Sequence, residues 1–105
     1  FPSGHATEAF VFATVMRSLL GQAATSPVAV ALRNQAKSIA DNRVYAGLHY
    51  PMDSVSGYVL GVTLGEYVLA RSRAASQWVP RLFDGSDASV ADLDFDPATQ
   101  DLGVT

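Results

Sequence analysis

The chain has 105 residues and weighs 11.1 kDa, room for one small domain and not two. Hydrophobic residues make up 49% and charged residues 16%, which supports a buried core and excludes a disordered polymer; the lack of cysteine excludes a disulfide scaffold, a thiolate zinc site and a cysteine nucleophile. The net charge of −3 is split unevenly, +3 over residues 1–81 and −6 over residues 82–105, and no basic stripe suited to a nucleic acid is present.

Three helices are predicted in chain order. No signal peptide opens the chain, because Phe1 to His5 lacks both a basic start and an apolar run, and no initiator methionine stands there, so a processed or excised piece is expected. The first helix runs from about Gly4 to Leu20, with Ala6, Ala9, Phe10, Ala13, Met16 and Leu20 on helical rows and Gly21 as a stop signal. Ser26 caps the second helix and Pro27 takes its first position; Leu32, Ala36, Ile39, Ala40 and Val44 carry the period to about Tyr45.

Pro51 starts the third helix, which continues to about Arg73. Its uncharged stretch, Ser54 to Gly65, lies between Asp53 and Glu66 and is too short for a membrane span. Gly57, Gly61 and Gly65 fall four apart and bare one helix face, a pattern that reads in lipid as a helix-pairing motif and in water as close backbone packing against another helix; the short stretch and Glu66 favour the second. After Pro80 the periodicity stops. Residues 82–105 read as an acidic extended or disordered tail, or as a peptide wrapping the body through Leu93, Phe95 and Leu102.

Both histidines sit in clusters that can carry chemistry. In Pro2-Ser3-Gly4-His5, Ser3 is a natural helix cap, and Gly4 lets backbone N–H groups at a helix N-terminus approach an oxyanion. His5, beside such an anion, can give or take a proton near neutrality. In the second cluster, Asp53 in the first turn of the third helix can hold one imidazole nitrogen of His49, leaving the other as a nucleophile. Arg43 adds a planar donor fork suited to phosphate oxygens. Each residue also has a structural explanation: a cap for Ser3, a helical His–Asp pair, and an ion pair of Arg43 with Asp41. His5, His49 and Asp53 also match a two-histidine, one-carboxylate metal set.

Together these residues resemble the superfamily of type 2 phosphatidic acid phosphatases, bacterial class A acid phosphatases and vanadium-dependent haloperoxidases. Its Pro-Ser-Gly-His motif matches Pro2 to His5. Its Ser-Arg-x5-His-x3-Asp motif matches Arg43, His49 and Asp53, with Asn42 in place of the serine. Ala6 and Thr7, running into Phe10-Val11-Phe12, look like the bacterial haloperoxidase branch. The resemblance implies an all-α helical bundle, of which residues 1–81 supply about three helices as the C-terminal half. It further implies that Ser3, Gly4, Arg43 and His49 hold phosphate or vanadate. His49 would form a phosphohistidine or ligate vanadium, His5 would act on the leaving oxygen or on peroxide, and Asp53 would orient His49.

The family's Lys-x6-Arg-Pro motif is absent, and Lys37, the only lysine, lies downstream of the first cluster. The missing cations are therefore expected from an upstream helical half of the same protein or from another chain. The expected function is phosphoester hydrolysis without a cofactor, or halide oxidation with vanadate; the alternative is a non-catalytic helical interaction domain. The expected partner is a small oxyanion or phosphoester, with neither nucleic acid nor membrane, in a soluble protein of periplasmic or secreted location.

Overall fold

A computed structural model describes residues 1–73, 78, 80–83, 86, 96 and 103–104. Three helices account for most of them: α1 (Gly4–Leu19), α2 (Pro27–Tyr45) and α3 (Pro51–Arg73). The all-α expectation and the helix limits read from caps and periodicity agree with this.

Local chemistry sets the helix ends. Ser3 and Ser26 adopt extended backbone and accept hydrogen bonds from the amides of Ala6 and Ala29, at 3.3 and 3.1 Å. Each cap satisfies one of the four N–H groups that a helix start leaves without an internal partner. α1 and α2 both end in the same way. Gly21 and Gly47 follow the last helical residues at φ +66° and +77°, a left-handed conformation that glycine enters at no steric cost. In α2 the amide of Gly47 donates to Val44 and that of Leu48 to Arg43, which reverses the chain toward α3.

Helix α1 packs most extensively on α3 and next on α2. The row Gly57, Gly61 and Gly65 is the reason α1 and α3 come so close. A Cβ on Gly57 would lie 2.8 Å from the Ala6 Cβ and from the Ser3 carbonyl oxygen. On Gly61 it would lie 2.5 Å from the Thr7 carbonyl oxygen, and on Gly65 2.8 Å from the Thr14 Cβ. The two backbones are therefore in direct contact. That contact offsets the helix propensity, roughly 1 kcal/mol per residue, that glycine gives up relative to alanine.

The core is built from small side chains with two aromatic rings. Ala6, Phe10 and Ala13 of α1 meet Ala36 and Ala40 of α2 and Val55, Tyr58 and Val59 of α3. The rings of Phe10 and Tyr58 pack edge to face with centroids 4.8 Å apart, which adds about 0.5–1.5 kcal/mol beyond area burial. Large apolar side chains stay exposed on all three helices, among them Phe12 and Leu19, Ile39, and Leu60, Leu64 and Val68. Among the described residues no helix is long and apolar enough to cross a membrane.

The chain beyond α3 folds back along it. The indole of Trp78 donates to the Thr63 carbonyl at 3.1 Å and packs edge to face on Tyr67, while Arg81 pairs with Glu66 at 3.3 Å. Phe83 packs against the core and the Phe1 ring. The two-residue strands β1 (Leu82–Phe83) and β2 (Gly103–Val104) pair antiparallel, with Leu82 opposite Val104. Leu93, Phe95 and Leu102, expected as anchors of a wrapping tail, lie outside the described residues.

Candidate active site

The first turn of α3 organises the site. Pro51 occupies the first helical position, so Asp53 is the third residue of the helix and its carboxylate turns back over the helix start. Asp53 Oδ2 accepts from the Tyr50 amide at 3.0 Å and faces His49 Nδ1 at 3.0 Å. The His49 tautomer that donates from Nδ1 to Asp53 leaves its lone pair on Nε2. The Asp53 carboxyl experiences burial, which by itself raises its pKa. The Tyr50 amide, His49 and the positive charge of the Phe1 amino group together outweigh that, and the pKa settles below the ordinary value of 3.8.

Ser3 reaches the same turn from the other motif. Its backbone amide donates to the Asp53 carbonyl oxygen at 3.0 Å, and Ser56 Oγ donates to that oxygen at 3.0 Å as well. The carbonyl of Ser3 accepts from both the amide and the hydroxyl of Thr7. Ser3 is fully buried and its Oγ accepts from the Ala6 amide, so an oxyanion reaches that hydroxyl only if neighbouring residues move. Gly4, next in the chain, is exposed, with nothing within 4 Å of where a Cβ would sit.

Arg43 lies in the last turn of α2. The spacing allowed an ion pair with Asp41, but Asp41 pairs with Lys37 instead. The Nε of Arg43 is buried and has no hydrogen-bond partner among the described residues. A cationic donor in that state is rare and calls for an absent partner such as water or an anion. A cleft of about 430 Å³ opens beside His49, lined also by Val44, Gly47, Leu48, Tyr50, Pro51 and Asp53.

The structure therefore brings Ser3, His49 and Asp53 to one helix start. His5 is exposed and lines a different space, an apolar groove between α1 and α2 with Phe12, Leu32 and Ile39. The two-histidine, one-carboxylate metal alternative does not assemble: among the described residues no three His, Cys, Asp or Glu side chains come together. Sequence reasoning missed Ser56 and the Tyr50 amide as partners of Asp53. The three-residue step from the helix cap at Tyr50 to Asp53 was the available signal for the second.

A helical bundle that joins the Pro-Ser-Gly-His turn to a half-buried His–Asp pair defines the class: the chain belongs to the PAP2 superfamily, whose family model matches residues 1–77. It is 38% identical over 68 residues to the decaprenylphosphoryl-5-phosphoribose phosphatase of Mycobacterium tuberculosis, in strains CDC 1551 / Oshkosh and H37Rv alike. The aligned segment covers 65% of this chain and 34% of each relative, so the chain spans about a third of the length of the curated relatives it matches. No solved structure matches it significantly.

Proposed function

We propose that this chain carries the histidine end of a phosphatase centre that hydrolyses a phosphate monoester. The observation that carries the reading is the His49–Asp53 pair at 3.0 Å, which leaves Nε2 free to attack phosphorus. In that step an N–P bond forms, the ester P–O bond breaks, and His5 gives a proton to the departing oxygen. Water then attacks the phosphohistidine and releases phosphate, with its proton passing to His5. His5 has to turn out of the α1–α2 groove for both transfers. Arg43 Nε, buried and unpartnered, supplies a charge-assisted donor for the phosphoryl oxygens, with the Gly4 backbone and Ser3 as neutral donors. Further cationic donors come from an upstream helical half or from another chain.

Both named relatives are phosphatases, which favours hydrolysis over halide oxidation. Their substrate name suggests a phosphorylated sugar carried on a lipid phosphate, and a phosphoester of that class is the substrate proposed for this centre. The two residues that tilt the sequence toward the haloperoxidase branch have structural work here: Ala6 packs under Gly57, and Thr7 bonds the Ser3 carbonyl. Vanadate nonetheless fits the donor set, since Arg43 has an unpartnered buried Nε and His49 a free Nε2. Bound there it would mimic the transferred phosphoryl group, or supply peroxide activation if the chain is a haloperoxidase.

The deciding experiment is thermal unfolding of the purified chain with orthovanadate, beside His49→Ala. A rise in Tm that disappears in the variant is expected. A rise of equal size in both would remove His49 from the oxyanion centre.

A further inference from the structure

A second cluster of cationic side chains stands far from His49. Glu66 is thirteen residues along α3 from Asp53, roughly 20 Å at 1.5 Å per residue. There a cavity of about 130 Å³ is lined by Arg17 of α1, Arg33 of α2 and Arg81 beyond α3, with Glu66 as the acid among its lining residues. We propose that this cavity binds a phosphate group, either a free ion or the head of a larger ester. Independently of the reading of His49, three observations lead there.

The first is charge. Among the described residues that line the cavity, three guanidinium groups face one carboxylate, which Arg81 already engages at 3.3 Å. Among the described residues Arg17 and Arg33 have no acidic partner. The second is an unsatisfied donor: the Nε of Arg33 is buried without a hydrogen-bond partner among the described residues, although its residue lines a cavity large enough to hold one. The third is the setting. Phe10, Tyr58 and Val62 form an apolar wall, and α2 presents its first turn there through Ala29, with no acidic side chain in that turn. A low-dielectric wall strengthens the pull of the arginines on an anion, and a helix start adds to it.

The size suits a compact group, since a cavity of about 150 Å³ accommodates a molecule as small as benzene. A planar guanidinium fork matches tetrahedral oxygens better than it matches chloride. Arg17 also sits at the C-terminal end of α1, where a cation is favoured by the helix dipole alone. That explanation accounts for Arg17 but leaves the buried Arg33 donor without a partner.

The test is a titration of inorganic phosphate into the purified chain, followed through the Arg33 Nε–H resonance by NMR. The resonance should shift saturably. Arg17→Gln should weaken that response about tenfold or more, while Arg17→Lys, which keeps the charge, should weaken it less. His49→Ala should leave it unchanged, which separates this site from the reacting centre. Glycerol 3-phosphate in a parallel titration tells the two sources apart: tighter binding than phosphate supports the head of an ester, weaker binding supports the free ion. Circular dichroism of each variant confirms the fold. No saturable shift up to phosphate on the order of 10 mM, or the same shift with sodium chloride at matched ionic strength, overturns the proposal.

Discussion

The Ser3 amide donates to the carbonyl oxygen of Asp53, 3.0 Å away, and so fastens one sequence motif to the other across fifty residues of chain. The glycine row of α3 makes the approach possible, because a Cβ at Gly57 would collide with the Ser3 carbonyl at 2.8 Å. Helix packing and site assembly therefore depend on the same contact.

Substitution along the α1–α3 interface should show this in stability. Alanine at Gly61 gains up to about 1 kcal/mol of helix propensity, but its Cβ meets the Thr7 carbonyl oxygen at 2.5 Å. Overpacking of this kind typically costs about 1–3 kcal/mol, and a backbone atom cannot turn aside as a side chain does. Gly61→Ala should therefore lower stability by about 2 kcal/mol. Gly4→Ala, with nothing near the new methyl, should be neutral or raise it by up to about 1 kcal/mol. Urea unfolding midpoints of the two variants give the comparison.

The two serine caps separate a structural role from a chemical one. Ser3 and Ser26 each accept an amide hydrogen bond at a helix start, so alanine at either should cost about 1 kcal/mol. Ser26 lies at the start of α2, away from His49, so its alanine variant should keep full activity. Ser3→Ala should lose stability by a similar amount and also lose phosphatase activity beyond what the unfolded fraction explains. Equal activity in the two variants, once corrected for folding, would leave Ser3 with a cap and nothing more.

Much of this arrangement was legible in the chain itself. Helix limits followed from Ser26-Pro27, Gly21, Gly47 and Pro51, because caps and stops act through neighbouring residues. The spacing of Gly57, Gly61 and Gly65 foretold backbone contact, since a row four apart can mark only one face of a helix. The return of Trp78, Arg81 and Phe83 onto α3 was not legible. Those contacts join residues fifteen apart in two cases, and no local period records them. The separation of His5 from the His49 cleft was equally hidden, because motif order does not reveal which face of α1 a side chain takes.

Activity should fall in a graded way within the His49–Asp53 pair. His49→Ala removes the nitrogen proposed to attack phosphorus and should abolish phosphohistidine formation. Asp53→Asn keeps an oxygen for the Tyr50 amide but loses the charge that fixes the imidazole tautomer. By analogy with other histidine–carboxylate pairs, kcat should drop about 10⁴-fold. Acid-labile phosphate on the protein, followed with a labelled monoester, is the readout. Normal labelling in Asp53→Asn with unchanged kcat would mean that the carboxylate only caps α3.

The same carboxylate sets an expected pH dependence of stability. Burial opposes the charged form of Asp53, but the Tyr50 amide, His49 and the Phe1 amino group together favour it more, and its pKa in the fold lies below the ordinary 3.8. A carboxyl group whose pKa is lowered on folding stabilises the native state at pH values above its unfolded pKa. That contribution fades as pH falls through the folded pKa, where both states become protonated. The difference in unfolding free energy between the native chain and Asp53→Asn should therefore be full above about pH 5 and shrink below about pH 4. Protonated aspartate and asparagine have nearly the same shape, so the two curves should converge in acid. A difference that widens on acidification would show that burial outweighs the hydrogen bonds and that the His49 pair does not hold the carboxylate charged.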